Sequence, residues 1–81
     1  ATVQDGRKIR GLRSAAPNSR YTGRELHTLP FVNNITISRI FRKRKPIDPH
    51  GDTIIEYGDH ILFTGDRKAA EEVREALRGV N

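Results

Sequence analysis

Cysteine, methionine and tryptophan are all absent from this 81-residue chain, and its aromatic residues number only three Phe and two Tyr. Without cysteine there is neither a disulfide framework nor a thiolate metal site to staple a small fold. Few aromatics leave no visible platform for stacking nucleobases. No window reaches the run of about 18 apolar residues that a membrane-spanning helix requires, and Ala1-Thr2-Val3-Gln4-Asp5 lacks the basic-then-apolar layout of a signal peptide. The sequence as it stands therefore reads as soluble, and the lack of any methionine suggests a piece of a longer polypeptide. A chain of this length buries only about 60% of the surface its unfolded form exposes. Pairing with a second copy is the remaining way to enlarge so thin a core.

What is present is charge: 15 Lys and Arg against 10 Asp and Glu, a formal net charge of +5. Most of the excess lies before Lys45, whereas the second half holds most of the carboxylates. A negatively charged partner or ligand is implied, with nucleic acid, lipid and acidic protein all admissible.

Along the chain, Ile9 alternates with charged neighbours over Arg7 to Ala16, giving a first strand interrupted at Gly11. Pro17-Asn18-Ser19 forms a turn. Thr22 reads as the N-cap of a short helix over Gly23 to Leu29, with Glu25 completing a capping box and Pro30 stopping it. Asn34 to Arg42 is the clearest strand; Ile35 and Ile37 share a face and Ile40 falls on the other, so either a bulge or apolar contacts on both sides is required. Lys43 and Arg44 make a hairpin tip, Lys45-Pro46-Ile47 a short return strand at an edge, and Thr53-Ile54-Ile55 a further strand. Gly58-Asp59 turns the chain into His60-Ile61-Leu62-Phe63-Thr64. Asp66 caps a helix over Arg67 to Arg78 with the stripe Ala69, Ala70, Val73, Ala76 and Leu77, and Gly79 supplies the stop. The pattern is one domain of short strands and two helices over residues 7–79, flanked by tails at 1–6 and 80–81.

Tyr21-Thr22-Gly23-Arg24-Glu25-Leu26, Asn34-Ile35-Thr36-Ile37-Ser38-Arg39-Ile40, Pro46, Pro49, Asp52-Thr53-Ile54 and Gly58-Asp59-His60-Ile61-Leu62-Phe63-Thr64-Gly65 occur in this order. Together they resemble the RCK-C (TrkA-C) domain family, although no one of these motifs is specific alone. The resemblance implies a small α+β pseudo-barrel or sheet of about five short strands with two helices, and a cytosolic regulatory domain of an ion or solute transporter or a potassium channel. Such a domain is usually a homodimer that senses small ligands and adjoins a membrane-embedded part on the cytoplasmic side. Family members that bind cyclic di-AMP hold it across the dimer interface, which by resemblance maps onto Asn34, Ile35, Pro49 and His50. Asn34 is then suited to read a base edge and His50 to approach a phosphate.

Arg39, a further candidate ligand-binding residue, sits within a strand and needs a partner if its guanidinium is covered, with Asp59 or Glu56 the candidates. Arg42, Lys43, Arg44 and Lys45 form a basic cluster that would attract an anionic partner, or simply a solvated edge. His27, His50 and His60 do not have metal-ligand spacing, and Asp48, Asp52 and Asp59 lack the spacing of a calcium loop. Ser14, Ser19 and Ser38 lie beside no nucleophile elbow, so an enzyme is not expected. The rival function class is a basic nucleic-acid-binding module, argued from a pI of about 10.2. With so few aromatics, no nucleic-acid partner is expected.

Overall fold

The computed structural model describes residues 8–79; the expected tails at 1–6 and 80–81, and the domain boundary at Arg7, lie outside the described residues. Among the described residues, four strands form one antiparallel sheet, β1 (Ile9–Ser14), β2 (Ile35–Arg42), β3 (Lys45–Ile47) and β4 (His60–Gly65), in the order β1-β4-β2-β3. The described residues also hold one α-helix, α1 (Arg67–Leu77), and two 3-10 turns, Leu26–Thr28 and Val32–Asn34, which complete the α+β fold.

β4 alternates strictly, burying Ile61, Phe63 and Gly65 and turning His60, Leu62 and Thr64 outward, as a sheet packed on one face requires. α1 closes the inner face through Ala69, Val73, Ala76 and Leu77, all buried. Asp66 caps it, its Oδ1 accepting the Ala69 N–H at 2.7 Å. Ala15, Leu26, Leu29, Phe31, Ile40 and Ile55 fill the remainder of the core.

The ambiguity in the second strand resolves as a bulge: the β2–β4 register shifts between Ile37 and Arg39. Ile37 pairs with Phe63 and Ile40 with Ile61, so the extra residue returns Ile40 to full burial. Gly11 does not interrupt β1. It faces Phe63 across the ladder, and a Cβ at that position would stand 2.5 Å from the Phe63 ring.

Three expected elements differ. The helix over Gly23 to Leu29 is a 3-10 turn of three residues, and Gly23 has φ +91°, outside helical space. The backbone there bonds to a distant loop instead: Gly23 N–H to Ile55 O (2.6 Å), Ile55 N–H to Arg24 O (2.9 Å) and Leu26 N–H to Thr53 O (2.9 Å). The Thr22 hydroxyl donates back to Ala16 O at 2.6 Å and caps nothing. Thr53-Ile54-Ile55 is accordingly a single bridge, Ile54 to Glu25, which leaves four strands rather than five. At its C-terminus, α1 ends through extended Arg78, and Gly79 lies against the Asn18 side chain, which a Cβ at that position would displace.

The hairpin between β2 and β3 turns on Lys43 and Arg44 at φ 54° and 69°, the two-residue type I′ geometry that favours Asn-Gly. A left-handed conformation costs an ordinary side chain about 1–2 kcal/mol. Replacing the pair by Lys43→Asn with Arg44→Gly is expected to raise stability by about 1–2 kcal/mol, read as a higher urea midpoint with unchanged slope.

Candidate functional site

Two places bring together polar residues distant in sequence. The first is an open groove of about 280 Å³ where β2 begins. Its apolar walls are Leu26, Val32, Ile35, Ile37 and Pro49; its polar rim is His27, Asn33 and His50. The loop carrying Pro49 and His50 is fixed from within, since His50 N–H donates to Thr53 Oγ1 at 2.9 Å and Thr53 N–H to His50 O at 3.0 Å. The His27 N–H to Gly51 O bond, 3.0 Å, ties that loop to the first 3-10 turn.

Three of the ligand residues expected from the sequence, Ile35, Pro49 and His50, thus share one surface. Asn34 lines a neighbouring cleft with Lys8, Thr36, Thr64 and Asp66, and Asn33 and Ile35 border both. Asn33 is the asparagine that enters the groove. Arg39 is outside it, ion-paired with Asp48 on an exposed part of the sheet. His27 and Asn33 were not singled out as ligand residues, because nothing in the spacing of residues 27 and 50 shows that a loop will fold back between them.

The second place is an ion pair between a buried carboxylate and a partly exposed guanidinium. Asp59 is fully buried, and Arg42 grips it with Nε to Oδ1 at 2.9 Å and Nη2 to Oδ2 at 2.8 Å. The same guanidinium reaches Ile54 O at 2.9 Å and Glu56 Oε2 at 3.1 Å. Asp59 also closes its own turn, Oδ2 accepting Glu56 N–H at 2.9 Å, and its backbone carbonyl takes the Ala15 N–H at 2.8 Å. The partners assigned to Arg39 in the sequence therefore belong to Arg42. The bulge decides this, because it sets Ile40 and Arg42 on the inner face and Arg39 on the outer one.

The hydrogen bond to Asp59, helped by the charges of Asp59 and Glu56 and opposed by desolvation, raises the Arg42 pKa above its ordinary value. A raised value for a cation means that its stabilisation is complete below the ordinary guanidinium pKa and fades only in more alkaline solution. The charge of Arg42 is thus constant across neutral pH. Arg42 is withdrawn from the basic cluster, while Lys43, Arg44 and Lys45 stay exposed. Among the described residues, no group of three His, Cys, Asp or Glu side chains is placed to hold a metal, and no helix is long and apolar enough to cross a membrane.

Residues 12–78 match the TrkA-C domain. The chain belongs to the TrkA-C domain family. Among curated proteins it is 37% identical over 62 residues to YjbQ of Bacillus subtilis (strain 168), a candidate Na(+)/H(+) antiporter by name, covering 76% of this chain and 10% of that protein. It is 34% identical over 61 residues to a Trk system potassium uptake protein TrkA homolog of Archaeoglobus fulgidus, covering 75% of this chain and 14% of that protein. The chain therefore spans only a small part of the relatives it matches. Among solved structures, an RCK domain with cda superposes with TM-score 0.68 at 32% identity, covering 83% of this chain and 97% of that one. The RCK_C domain dimer of S. agalactiae BusR in complex with c-di-AMP gives TM-score 0.74 at 25% identity, covering 89% and 93%. These TrkA-C relatives agree with the α+β class expected from the sequence.

Proposed function

We propose that this TrkA-C domain is the ligand-sensing regulatory module of an ion or solute transport protein, working as a homodimer on the cytoplasmic side of the membrane, and not a catalyst. The observation that carries the reading is the groove, which gathers Ile35, Pro49 and His50 from two remote segments within a TrkA-C fold. Its 280 Å³ falls just below the roughly 300–1,000 Å³ of a small-molecule site. Two such grooves facing across a two-fold axis reach that range. Ile35, Val32 and Pro49 offer an apolar bed for a base, and His50 and Asn33 supply polar contacts at the rim. Asn33 thereby takes the base-reading role that the sequence assigns to Asn34. A cyclic dinucleotide such as cyclic di-AMP fits this chemistry and is the ligand held by the BusR dimer. Ligand binding then favours one arrangement of the paired subunits, which the attached transport protein senses as a shifted equilibrium.

Calorimetric titration with cyclic di-AMP is the test. Binding is expected at one ligand per two chains, and His50→Ala and Ile35→Ala are each expected to weaken it at least tenfold. An absence of binding, or affinity indifferent to both substitutions, rejects this ligand at this place. The nucleic-acid reading is less favoured. BusR has also been solved with its busA-promotor DNA, but there the likeness, at 24% identity, covers 40% of the BusR chain and shows the fold alone.

A further inference from the structure

The ligand-sensing reading leaves one part of the surface without a use: the end of the molecule where the β2–β3 hairpin tip meets the 54–59 turn. Arg42 immediately precedes the tip, and its guanidinium contacts Ile54 O, Glu56 and Asp59. It therefore holds the turn beside the tip. Lys43, Arg44 and Lys45 are exposed there, and none of their side chains has a carboxylate partner among the described residues. The turn's own carboxylates do not cancel them, because Asp59 is buried and Glu56 is already paired with Arg42. On the same turn stand Tyr57, 71% exposed, and Ile54, 50% exposed. Two exposed apolar side chains thus sit next to three free cations.

We propose that this end docks on an anionic lipid surface, with Lys43, Arg44 and Lys45 against the headgroups and Tyr57 and Ile54 inserted at the interface. Aromatic rings with a polar tip are at home at headgroup level, and nearby cations add attraction to acidic lipid. Two features favour lipid over a macromolecular partner, and a third gives the cations a use. None of the four principal clefts includes these residues, whereas a protein partner anchors through side chains seated in pockets. A single exposed aromatic makes no platform for successive bases. Lys43 and Arg44 also hold left-handed backbone that Asn-Gly would adopt at lower cost, and strain kept in place by its surroundings points to a use for those side chains. The proposal is independent of the cyclic-dinucleotide reading, whose groove shares no residue with this end.

Sedimentation with vesicles tests it at physiological salt. The chain is expected to bind phosphatidylcholine vesicles containing phosphatidylglycerol and to ignore phosphatidylcholine alone. The combined Lys43→Asn, Arg44→Gly and Lys45→Thr variant, whose turn geometry is kept, should bind about a hundredfold more weakly, at roughly fivefold per cation removed. Tyr57→Ser, which leaves the charge unchanged, should lose about tenfold of its affinity, as for an aromatic anchor at the interface. Arg10→Ser, Arg67→Ser and Lys68→Ser together remove the same charge at the opposite end of the sheet, around Gly65, and should retain binding within about threefold, because attraction is local to a Debye length. Three results would overturn the proposal: no binding to the anionic vesicles, an equal loss in the remote triple variant, or tip-dependent binding to a DNA duplex tighter than to vesicles of matched phosphate concentration.

Discussion

Arg42→Met is expected to remove about 3–5 kcal/mol of folding stability, the cost of stranding a buried charge. Asp59 is 0% exposed and takes two hydrogen bonds from the Arg42 guanidinium. Its remaining acceptor contact is the Glu56 N–H within its own turn. Removing the guanidinium leaves a carboxylate in the core with one amide for compensation. The same guanidinium bonds Ile54 O, so the variant also loosens the turn from the hairpin. A chain of 81 residues has about 4–12 kcal/mol to lose, and Arg42→Met should leave it close to the unfolding threshold at 25 °C. Pairing it with Asp59→Asn should recover part of the loss, since no buried charge remains to be compensated. Urea denaturation of the two single variants and the double variant gives the coupling. A loss below about 1 kcal/mol for Arg42→Met would mean that the pair behaves as a surface ion pair.

Phe63→Ala is the second large effect, expected at about 3–5 kcal/mol. Phe63 is 1% exposed at the centre of β4, and its ring lies against the backbone of Gly11 on β1. Gly11→Ala acts from the other side of the same contact. Its added Cβ would meet the ring at 2.5 Å, and such overpacking costs about 1–3 kcal/mol. The two changes should not add. Once the ring is gone, Ala at position 11 fills vacated space, so the double variant should be no less stable than Phe63→Ala alone. Additive losses would show that Gly11 is required for some reason other than the ring.

The fold was legible where local pattern and tertiary demand agree. The alternation of His60 to Gly65, the Asp66 cap and the apolar stripe of α1 follow from residue order because each depends on neighbours a few positions away. The segment from Gly23 to Leu29 failed for the opposite reason. Thr22 and Glu25 have the spacing of a capping box, but the Thr22 N–H goes to Ser19 Oγ, and the amides of Gly23 and Leu26 are bonded to Ile55 and Thr53, about 30 positions downstream. No local signal competes with those distant carbonyls. The partner of Arg39 failed in the same way, since one bulged residue at Ser38 exchanges the faces on which Arg39 and Arg42 lie. The groove was only partly legible. Ile35, Pro49 and His50 were named through the family resemblance, and Asn33 and His27 join them because a 3-10 turn and a folded-back loop place them there.

By itself the sequence determined the strands and helix of the α+β class, the hairpin tip and the buried stripe of α1, because side-chain periodicity and turn chemistry are properties of adjacent residues; the family was legible through the resemblance of its motifs. The tertiary structure alone decided that Arg42 rather than Arg39 holds Asp59, that the first helix yields to a 3-10 turn, and which asparagine faces the groove. Each of these rests on a backbone bond or a register shift between distant segments, and only the folded chain fixes which distant donors and acceptors meet.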